Sequence, residues 1–425
     1  MPLIRELSHG FSKLSHQERM QRLLQMGIQK NDLDILSKES SLSSFLAGQL
    51  IENNVGSFPV PLGLALNFVI DSKDYIIPMA VEESSIIAAA SKTAKWIAEE
   101  GEITTRQIGQ LGVGQIQFPC IRDFVPFQAK IEEAKAQLIE VGNQAAAKIV
   151  SRGGGLREIV CRQLARGDGQ YMGIVHVLMD TCDAMGANTI TQVCEAMRPH
   201  LEELTQEKVG MCILSNLCDT KLTEAQVVIR NIDPALGHAI TEGSLFAQLD
   251  PYRAATSNKG VMNGIDAVLL ATGNDWRAVE AALHAYAAHT GHYTSITQWK
   301  MNGPHLEGIL RAPIVVGIVG GVTRLHPVAK ISLKLLNVSS AAELSRVLAA
   351  VGLVQNLAAL RALVTEGLTK GHMRLHLSNL AIEAGAIDHE LARLKAMLKE
   401  RLDKLGRISS SDAIELLQEL RKQNN

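Results

Sequence analysis

Several groups of side chains in this 425-residue sequence are of types that do chemistry. Glu82 and Glu83 stand side by side in Val81-Glu82-Glu83-Ser84-Ser85, between a β-rich run and an alanine-rich stretch. Acidic residues at a helix start answer the helix dipole. A carboxylate in a partly desolvated cleft instead keeps its proton and serves as an acid. Lys259 lies within Asp250 to Asp266 (DPYRAATSNKGVMNGID), a run rich in hydrogen-bonding groups, which reads as donors lining a cleft or as a solvated loop. Just beyond it, Asp275 in Ala271-Thr272-Gly273-Asn274-Asp275-Trp276 sits among apolar residues. A buried acid needs a cation, and Lys259 is the obvious candidate.

His372 and His376 are four residues apart and would share a helix face. A zinc pair there lacks the glutamate of a His-Glu-x-x-His arrangement and an evident third ligand, so capping, core packing and, for His372, proton transfer compete with it. His284, His289 and His292 form a second histidine group, and no metal is expected at either. For phosphate binding, neither Gly-x-Gly-x-x-Gly at a strand exit nor Gly-x-x-x-x-Gly-Lys-Ser/Thr occurs. In their place Asp183-Ala184-Met185-Gly186-Ala187-Asn188 joins an expected strand to an expected helix. Small residues there let backbone N–H groups and the helix dipole approach a pyrophosphate, although alone such a turn is more often only a tight connection.

The elements that must position these groups read as follows. Residues 1 to 52 are helical in pattern, with Ser15 and Glu18 as a capping box. Phe58 to Val81 reads as a hairpin turning at Asp71 to Lys73, and a serine at 84 or 85 caps the next helix. From 113 to 217 the patterns run strand (114–121), helix (126–150), strand (156–164), strand (171–179), helix (188–207), strand (209–214). This β-α-β-β-α-β series is that of the ferredoxin-like unit, an inserted small domain. Residues 220 to 376 return to a mixed pattern with a glycine-rich strand exit at Gly317 to Gly321, and beyond 386 the chain is charged and helical.

Composition narrows the function classes. Lys plus Arg number 42 against 44 Asp plus Glu, a net charge of −2, which offers no bulk attraction to nucleic acid or anionic membrane. The 46% hydrophobic and 20% charged content is that of a folded globular protein. The apolar run Ala312 to Val322 is short of the roughly 20 residues that span a bilayer. The first twenty residues are polar and charged, unlike a secretory signal, and the six cysteines contain no Cys-x-x-Cys pair. Reduced thiols in the cytoplasm are the expectation.

Together these segments resemble class II 3-hydroxy-3-methylglutaryl-coenzyme A (HMG-CoA) reductase, over essentially the whole chain. The resemblance rests on Glu52-Asn53-Asn54-Val55-Gly56, Val81 to Ser91, Asp183 to Asn188, Asp250 to Asp266, Ala271 to Val279, and Thr365-Glu366-Gly367 followed by Gly371-His372-Met373. It implies an α+β fold, with a large mixed α/β substrate domain (1–110 and 219–374), an inserted ferredoxin-like (βαββαβ) NAD(P)-binding domain (111–218) and a C-terminal helical flap (375–425). The implied reaction is a reversible four-electron reduction of HMG-CoA to mevalonate and coenzyme A, consuming two nicotinamide cofactors in a homodimer whose active site lies between subunits.

By the same resemblance, Lys259 stabilises the developing oxyanion and Glu83 is the general acid. Asp275 holds Lys259 charged and tunes Glu83, and His372 protonates the departing thiolate. Ser85, Arg253, Asn263 and Asn216 match substrate contacts, and Asp183, Met185, Gly186, Ala187 and Asn188 match the cofactor's pyrophosphate site. Two positions depart from the family. Ala146 stands where some members carry an acid for the adenine ribose, with Lys148 close by, which favours NADPH over NADH. Phe11-Ser12-Lys13 stands where some members carry an N-terminal arginine for the coenzyme A phosphates; Lys13 is the substitute, and a lysine lacks the bidentate fork. Two rivals from other classes are a catalytically silent coenzyme A or nucleotide-binding module and a metal-dependent thioester hydrolase.

Overall fold

The computed structural model describes residues 9–37, 42–365, 367 and 377–424. Helix α1 (His16–Gln25) opens on the capping box, with Ser15 N donating to Glu18 Oε2 at 2.6 Å and Glu18 N to Ser15 Oγ at 3.3 Å. Helices α2 (Lys30–Leu36) and α3 (Ser44–Leu50) follow. The hairpin pairs β1 (Leu62–Ile70) with β2 (Lys73–Ala80). Asp71 and Ser72 at its tip both take positive φ, which matches the twist of a two-residue turn. Helix α4 (Ile86–Glu100) begins at Ser85, yet the expected serine cap is not made. Ser85 is left-handed, at φ 80°, so the chain turns sharply there and its hydroxyl makes no capping bond.

Strand β3 (Gly101–Ile108) leads into β4 (Leu111–Ile121). The single helix expected over 126–150 is three: α5 (Phe124–Glu133), α6 (Lys135–Ala145) and α7 (Ala147–Val150). Asn143 explains the break near Ala146, because its amide brackets Leu156, accepting from the N–H at 2.7 Å and donating to the C=O at 3.3 Å. The helix must stop there for the chain to return as β5 (Gly155–Ala165). Then come β6 (Tyr171–Asp180), α8 (Ala187–Thr205) and β7 (Met211–Ser215). The sheet order β5-β6-β4-β7, antiparallel throughout, is the ferredoxin-like arrangement, and its core is Ile116, Phe118, Val175, Val177, Val193 and Met197.

The chain re-enters the larger body through β8 (Leu222–Ile229), α9 (Pro234–Leu249), α10 (Pro251–Ala271) and α11 (Trp276–Ala287). Strands β9 (Thr297–Asn302) and β10 (His305–Ala312) complete a sheet ordered β3-β8-β10-β9. Helices α12 (Gly321–Leu325), α13 (Pro327–Leu336) and α14 (Ala341–Val364) follow. The polar Asp250–Asp266 run is thus not a loop but most of a 21-residue helix capped by Asp250 with Pro251 in its first turn.

Helix α14 is long and apolar enough to cross a membrane, although Glu343, Arg346, Gln355 and Asn356 interrupt its apolar sequence. It is instead the axis of the main core, and 72% of its most apolar window is buried. Gly352 permits this, since a Cβ there would lie 2.8 Å from Ile265 Cδ1 of α10. The α14 backbone at Gly352 therefore packs directly on the Ile265 and Val261 side chains, and α10 is held on its buried side by Val261, Ile265 and Val268. Beyond a helical segment at 377–383, α15 (Asp388–Leu405) and α16 (Ser410–Asn424) share a third core of leucines, tied by Arg421 Nε to Glu390 Oε1 at 2.7 Å.

Candidate active site

The hairpin exit and α10 bring two of the chemically capable groups together. Lys259 Nζ lies 3.0 Å from Glu83 Oε2, across 176 residues of chain. Their side chains are 64% and 37% exposed. An ion pair this open contributes about 0–1 kcal/mol to stability, so packing alone does not require it. The next residue back, Asn258, is buried and anchors α10: its amide donates to Tyr293 Oη and Thr294 O, and accepts from Ile296 N. One face of α10 is fixed in the core while Lys259 projects from the opposite one. Arg253, in the first turn of α10, is half-buried, and burial lowers its guanidinium pKa. Asn263 lies one turn beyond Lys259 and is partly buried.

Asp275 does not pair with Lys259 as the sequence suggests. Its Oδ1 accepts from Ala278 N at 3.1 Å, capping α11, and lies 3.8 Å from Arg277 Nε. The reason is local: an aspartate before a helix satisfies an otherwise orphaned N–H, and Lys259 has Glu83. The histidines also have partners. His284 Nδ1 meets Tyr293 Oη at 2.7 Å and His289 Nδ1 lies at the Tyr286 carbonyl, which favours the core and capping readings. His372 and His376 fall outside the described residues.

The Asp183–Asn188 turn forms as a strand-to-helix connection between β6 and α8. Gly186 takes φ 93° at the helix start, with no side-chain cap, and a Cβ there would meet Thr181 Cγ2 at 2.2 Å. No side chain caps the first N–H groups of α8. Asp183 is engaged more than the sequence implies. Its Oδ1 accepts from Ala341 N at the start of α14 (2.8 Å) and its carbonyl accepts from Ile318 N (3.0 Å), latching the turn to the larger body. Beside the latch, a small cleft is lined by Met185, Ala187 and Asn216 from the smaller body and by Ala278, Val279 and Ala282 of α11 from the larger. The helix that Asp275 caps thus walls the space next to the turn.

Sequence reasoning missed Lys221, whose ammonium pKa is lowered by burial and raised in turn by Cys218, Asp180, Cys182 and Asp183. Nothing local marks it, because only the return of the chain at β8 sets it under the turn. Two other positions depart from expectation. Ala146 is buried in the smaller core, so its methyl faces away from any ribose, whereas Lys148 is exposed. Any selectivity at 146 comes from the lack of a carboxylate rather than from contact. Lys13 is exposed at the end of a short 3-10 helix, Phe11–Lys13, with Phe11 buried beneath it.

Residues 15–377 match the family model of hydroxymethylglutaryl-coenzyme A reductase. The chain is 43% identical over 422 residues to 3-hydroxy-3-methylglutaryl-coenzyme A reductase of Archaeoglobus fulgidus, covering 97% of this chain and 94% of that one. It is 33% identical to a probable enzyme of the same name from Borreliella burgdorferi, covering 88% of this chain and 86% of that one. Among solved structures, the 3-hydroxy-3-methylglutaryl-coenzyme A reductase of Streptococcus pneumoniae superposes with a TM-score of 0.82 at 38% identity, covering 97% of this chain and 99% of that one. A class II structure from the same organism, bound to NADPH in open conformations, gives a TM-score of 0.81 at 38% identity over 84% of this chain and 99% of that one.

The turn geometry makes one mutation diagnostic. Gly186→Ala adds a Cβ where Thr181 already lies and where a left-handed backbone costs an L-residue about 1–2 kcal/mol. Dinucleotide affinity, read by calorimetric titration, is expected to fall at least about tenfold (~1.4 kcal/mol) with the overall fold retained. An unchanged affinity would contradict the assignment of this turn.

Proposed function

The chain belongs to the hydroxymethylglutaryl-coenzyme A reductase family, and from that premise we propose how its residues divide the work. Its activity is the NAD(P)H-dependent four-electron reduction of HMG-CoA to mevalonate and coenzyme A. The observation that carries the mechanism is the Lys259–Glu83 contact at 3.0 Å, a cation and a potential acid that one oxygen atom can meet together.

The α8 turn fits a dinucleotide, since its small residues and uncapped N–H groups leave room for a pyrophosphate. We assign Asp183, Met185, Gly186, Ala187 and Asn188 to that role. When bound, the reduced nicotinamide supplies hydride to the carbonyl carbon, once at the thioester and once at the aldehyde. Lys259 Nζ faces the carbonyl oxygen in both steps and stabilises the negative charge that grows on it, most strongly once water is excluded. Glu83 delivers the proton that makes the product hydroxyl. His372 delivers the other, to the departing coenzyme A thiolate, so two protons accompany the two hydrides.

Asp275 serves from the N-terminus of α11, orienting that wall of the cleft, and comes to Lys259 by a local side-chain movement when substrate is bound. Ser85, Arg253, Asn263 and Asn216 hold the carboxylate end and the polar flanks of the substrate. Lys13 offers point charge to the coenzyme A phosphates. In this division residues 1–110 and 219–374 bind substrate, 111–218 bind cofactor, and 375–425 close over the site as a flap.

We assign the chain to class II on the strength of its archaeal and bacterial relatives. The free cysteines favour a reducing, cytoplasmic setting. A homodimer is supported by the surface beside the site: Phe246, Leu249 and Tyr252, at the junction of α9 and α10, are 56%, 74% and 87% exposed, and Trp276 lies nearby in sequence to Asp275. A second subunit seated there would supply the water exclusion that Lys259 lacks in a single chain.

Three experiments test these assignments. Purified protein mixed with HMG-CoA and reduced nicotinamide is expected to oxidise the cofactor with or without chelator. Lys259→Ala should lower kcat by at least about a hundredfold while circular dichroism stays unchanged. Near-normal turnover in that variant would refute the role of Lys259. Coenzyme A release that needs metal and consumes no nicotinamide would point to a hydrolase. For cofactor choice, the missing acid at Ala146 and the exposed Lys148 favour NADPH through its 2′-phosphate. Lys148→Asp should shift the ratio of kcat/KM toward NADH by at least about tenfold, and a constant ratio would discard the argument.

A further inference from the structure

The glycine-rich strand exit at Gly317–Gly321 has no part in the mechanism above, yet its first two residues lie between the two turns that carry Asp275 and the cofactor site. The first of these turns joins α10 to α11. Gly273, at φ 68°, donates its N–H to Leu270 O, and Asn274 donates its N–H to Leu269 O, the paired bonds that close a helix on a left-handed glycine. Such a close often carries an apolar residue after its glycine, packed back on the helix. Here that residue is Asn274, immediately before Asp275. Departures of this kind from a local rule concentrate where function constrains the chain.

The Asn274 amide is fixed at both ends. Thr272 is fully buried and its hydroxyl donates to the Val268 and Leu269 carbonyls, so toward Asn274 it can only accept. Asn274 Nδ2 is therefore the donor to Thr272 Oγ1, at 3.0 Å, and Oδ1 is left to accept from Gly317 N at 2.9 Å, 43 residues away. Gly317 is buried and presses on the second turn, where a Cβ on it would lie 2.7 Å from Met185 N. The next residue, Ile318, donates its N–H to Asp183 O at 3.0 Å. Asp275 and the Asp183–Asn188 turn are thus joined through four residues in contact, and Val315 of the same segment stands in the wall of the cleft between them.

We infer that Asn274 is a positioning residue, which sets the cofactor turn against the Lys259–Asp275 side of the site through Gly317 and Ile318. The inference rests on the roles given above to that turn and to Asp275. No reacting atom has to meet Asn274, whose amide is spent on Thr272 and Gly317. Hydride transfer is steep in geometry, and a misplacement of about 1 Å costs on the order of a hundredfold in rate. The turn itself is built within the smaller body by β6 and α8, so its grip on the dinucleotide does not need Asn274. Loss of this amide therefore falls on kcat and spares binding.

The test compares the parent with Asn274→Ala, which removes the acceptor of Gly317 N, with Gly317→Ala, whose Cβ displaces Met185, and with the two combined. The readouts are kcat with HMG-CoA and NADPH, NADPH affinity by calorimetric titration, and the melting midpoint. Asn274→Ala is expected to lower kcat at least about tenfold while NADPH affinity stays within about threefold of the parent. Gly317→Ala should also lower kcat, and in the double variant the two losses should fall well short of multiplying, because both act on one contact.

A lower melting midpoint with unchanged kcat in Asn274→Ala makes the residue merely structural and overturns the inference. So does a loss of NADPH affinity as large as the loss of kcat, or a double variant in which the losses multiply. Should one single variant fail to fold, the other carries the comparison of kcat with affinity. Gly186→Ala, which acts inside the turn, keeps the two readings apart. If it leaves NADPH affinity unchanged, the assignment of the turn fails and this inference with it. If it weakens NADPH while Asn274→Ala turns over like the parent, the turn stands and only the role of Asn274 is lost.

Discussion

Everything at this site depends on holding one cation in a fixed place while leaving it reachable. Lys259 sits on a helix whose other face is among the most buried surfaces of the protein, and its carboxylate neighbour comes from the end of a hairpin far away in sequence. The contact itself adds little stability because it is open to solvent. What fixes it is the packing behind: α14 presses close to α10 at Gly352 and Ile265, and Asn258 ties the helix to the segment before β9. A hydrophobic core, formed for ordinary reasons of burial, thus serves as the mount for a charge.

The arrangement also explains why polar residues are tolerated inside this core. Asn258, Ser257, Thr297 and Asn356 are buried, and each has a partner: Asn356 Oδ1 accepts from Trp299 Nε1 at 2.8 Å and from Thr297 Oγ1 at 3.1 Å, while its amide donates to Ser257 Oγ at 3.2 Å. Fully satisfied polar groups are directional where apolar packing is not, so they fix the rotation of α10 about its axis as well as its depth. That rotation decides where Lys259 points. The latch from Asp183 to the start of α14 does the same for the Asp183–Asn188 turn, joining the smaller body to the larger.

How much of this was legible in the sequence follows from how local each signal is. The Ser15–Glu18 box, the hairpin turn at Asp71 and Ser72, the βαββαβ series and the Gly186 turn are encoded within a few residues of themselves, and all of them form. In this structure Lys259 meets Glu83, 176 positions away, rather than Asp275, which proximity in sequence favours. Asp250–Asp266 was ambiguous because a helix with one buried and one functional face carries polar residues on both. The break at Ala146 was hidden for a similar reason, since the residue that ends the helix, Asn143, does so through β5. Lys221 carried no local signal at all.

The most direct test is a crystal structure of the shut enzyme with HMG-CoA and oxidised nicotinamide both in place. The account requires the Lys259 ammonium at hydrogen-bond distance, about 2.7–3.2 Å, from the thioester carbonyl oxygen, with the Glu83 carboxyl on the same atom. A Lys259 side chain turned toward bulk water in that complex, with some other group on the oxygen, would contradict it.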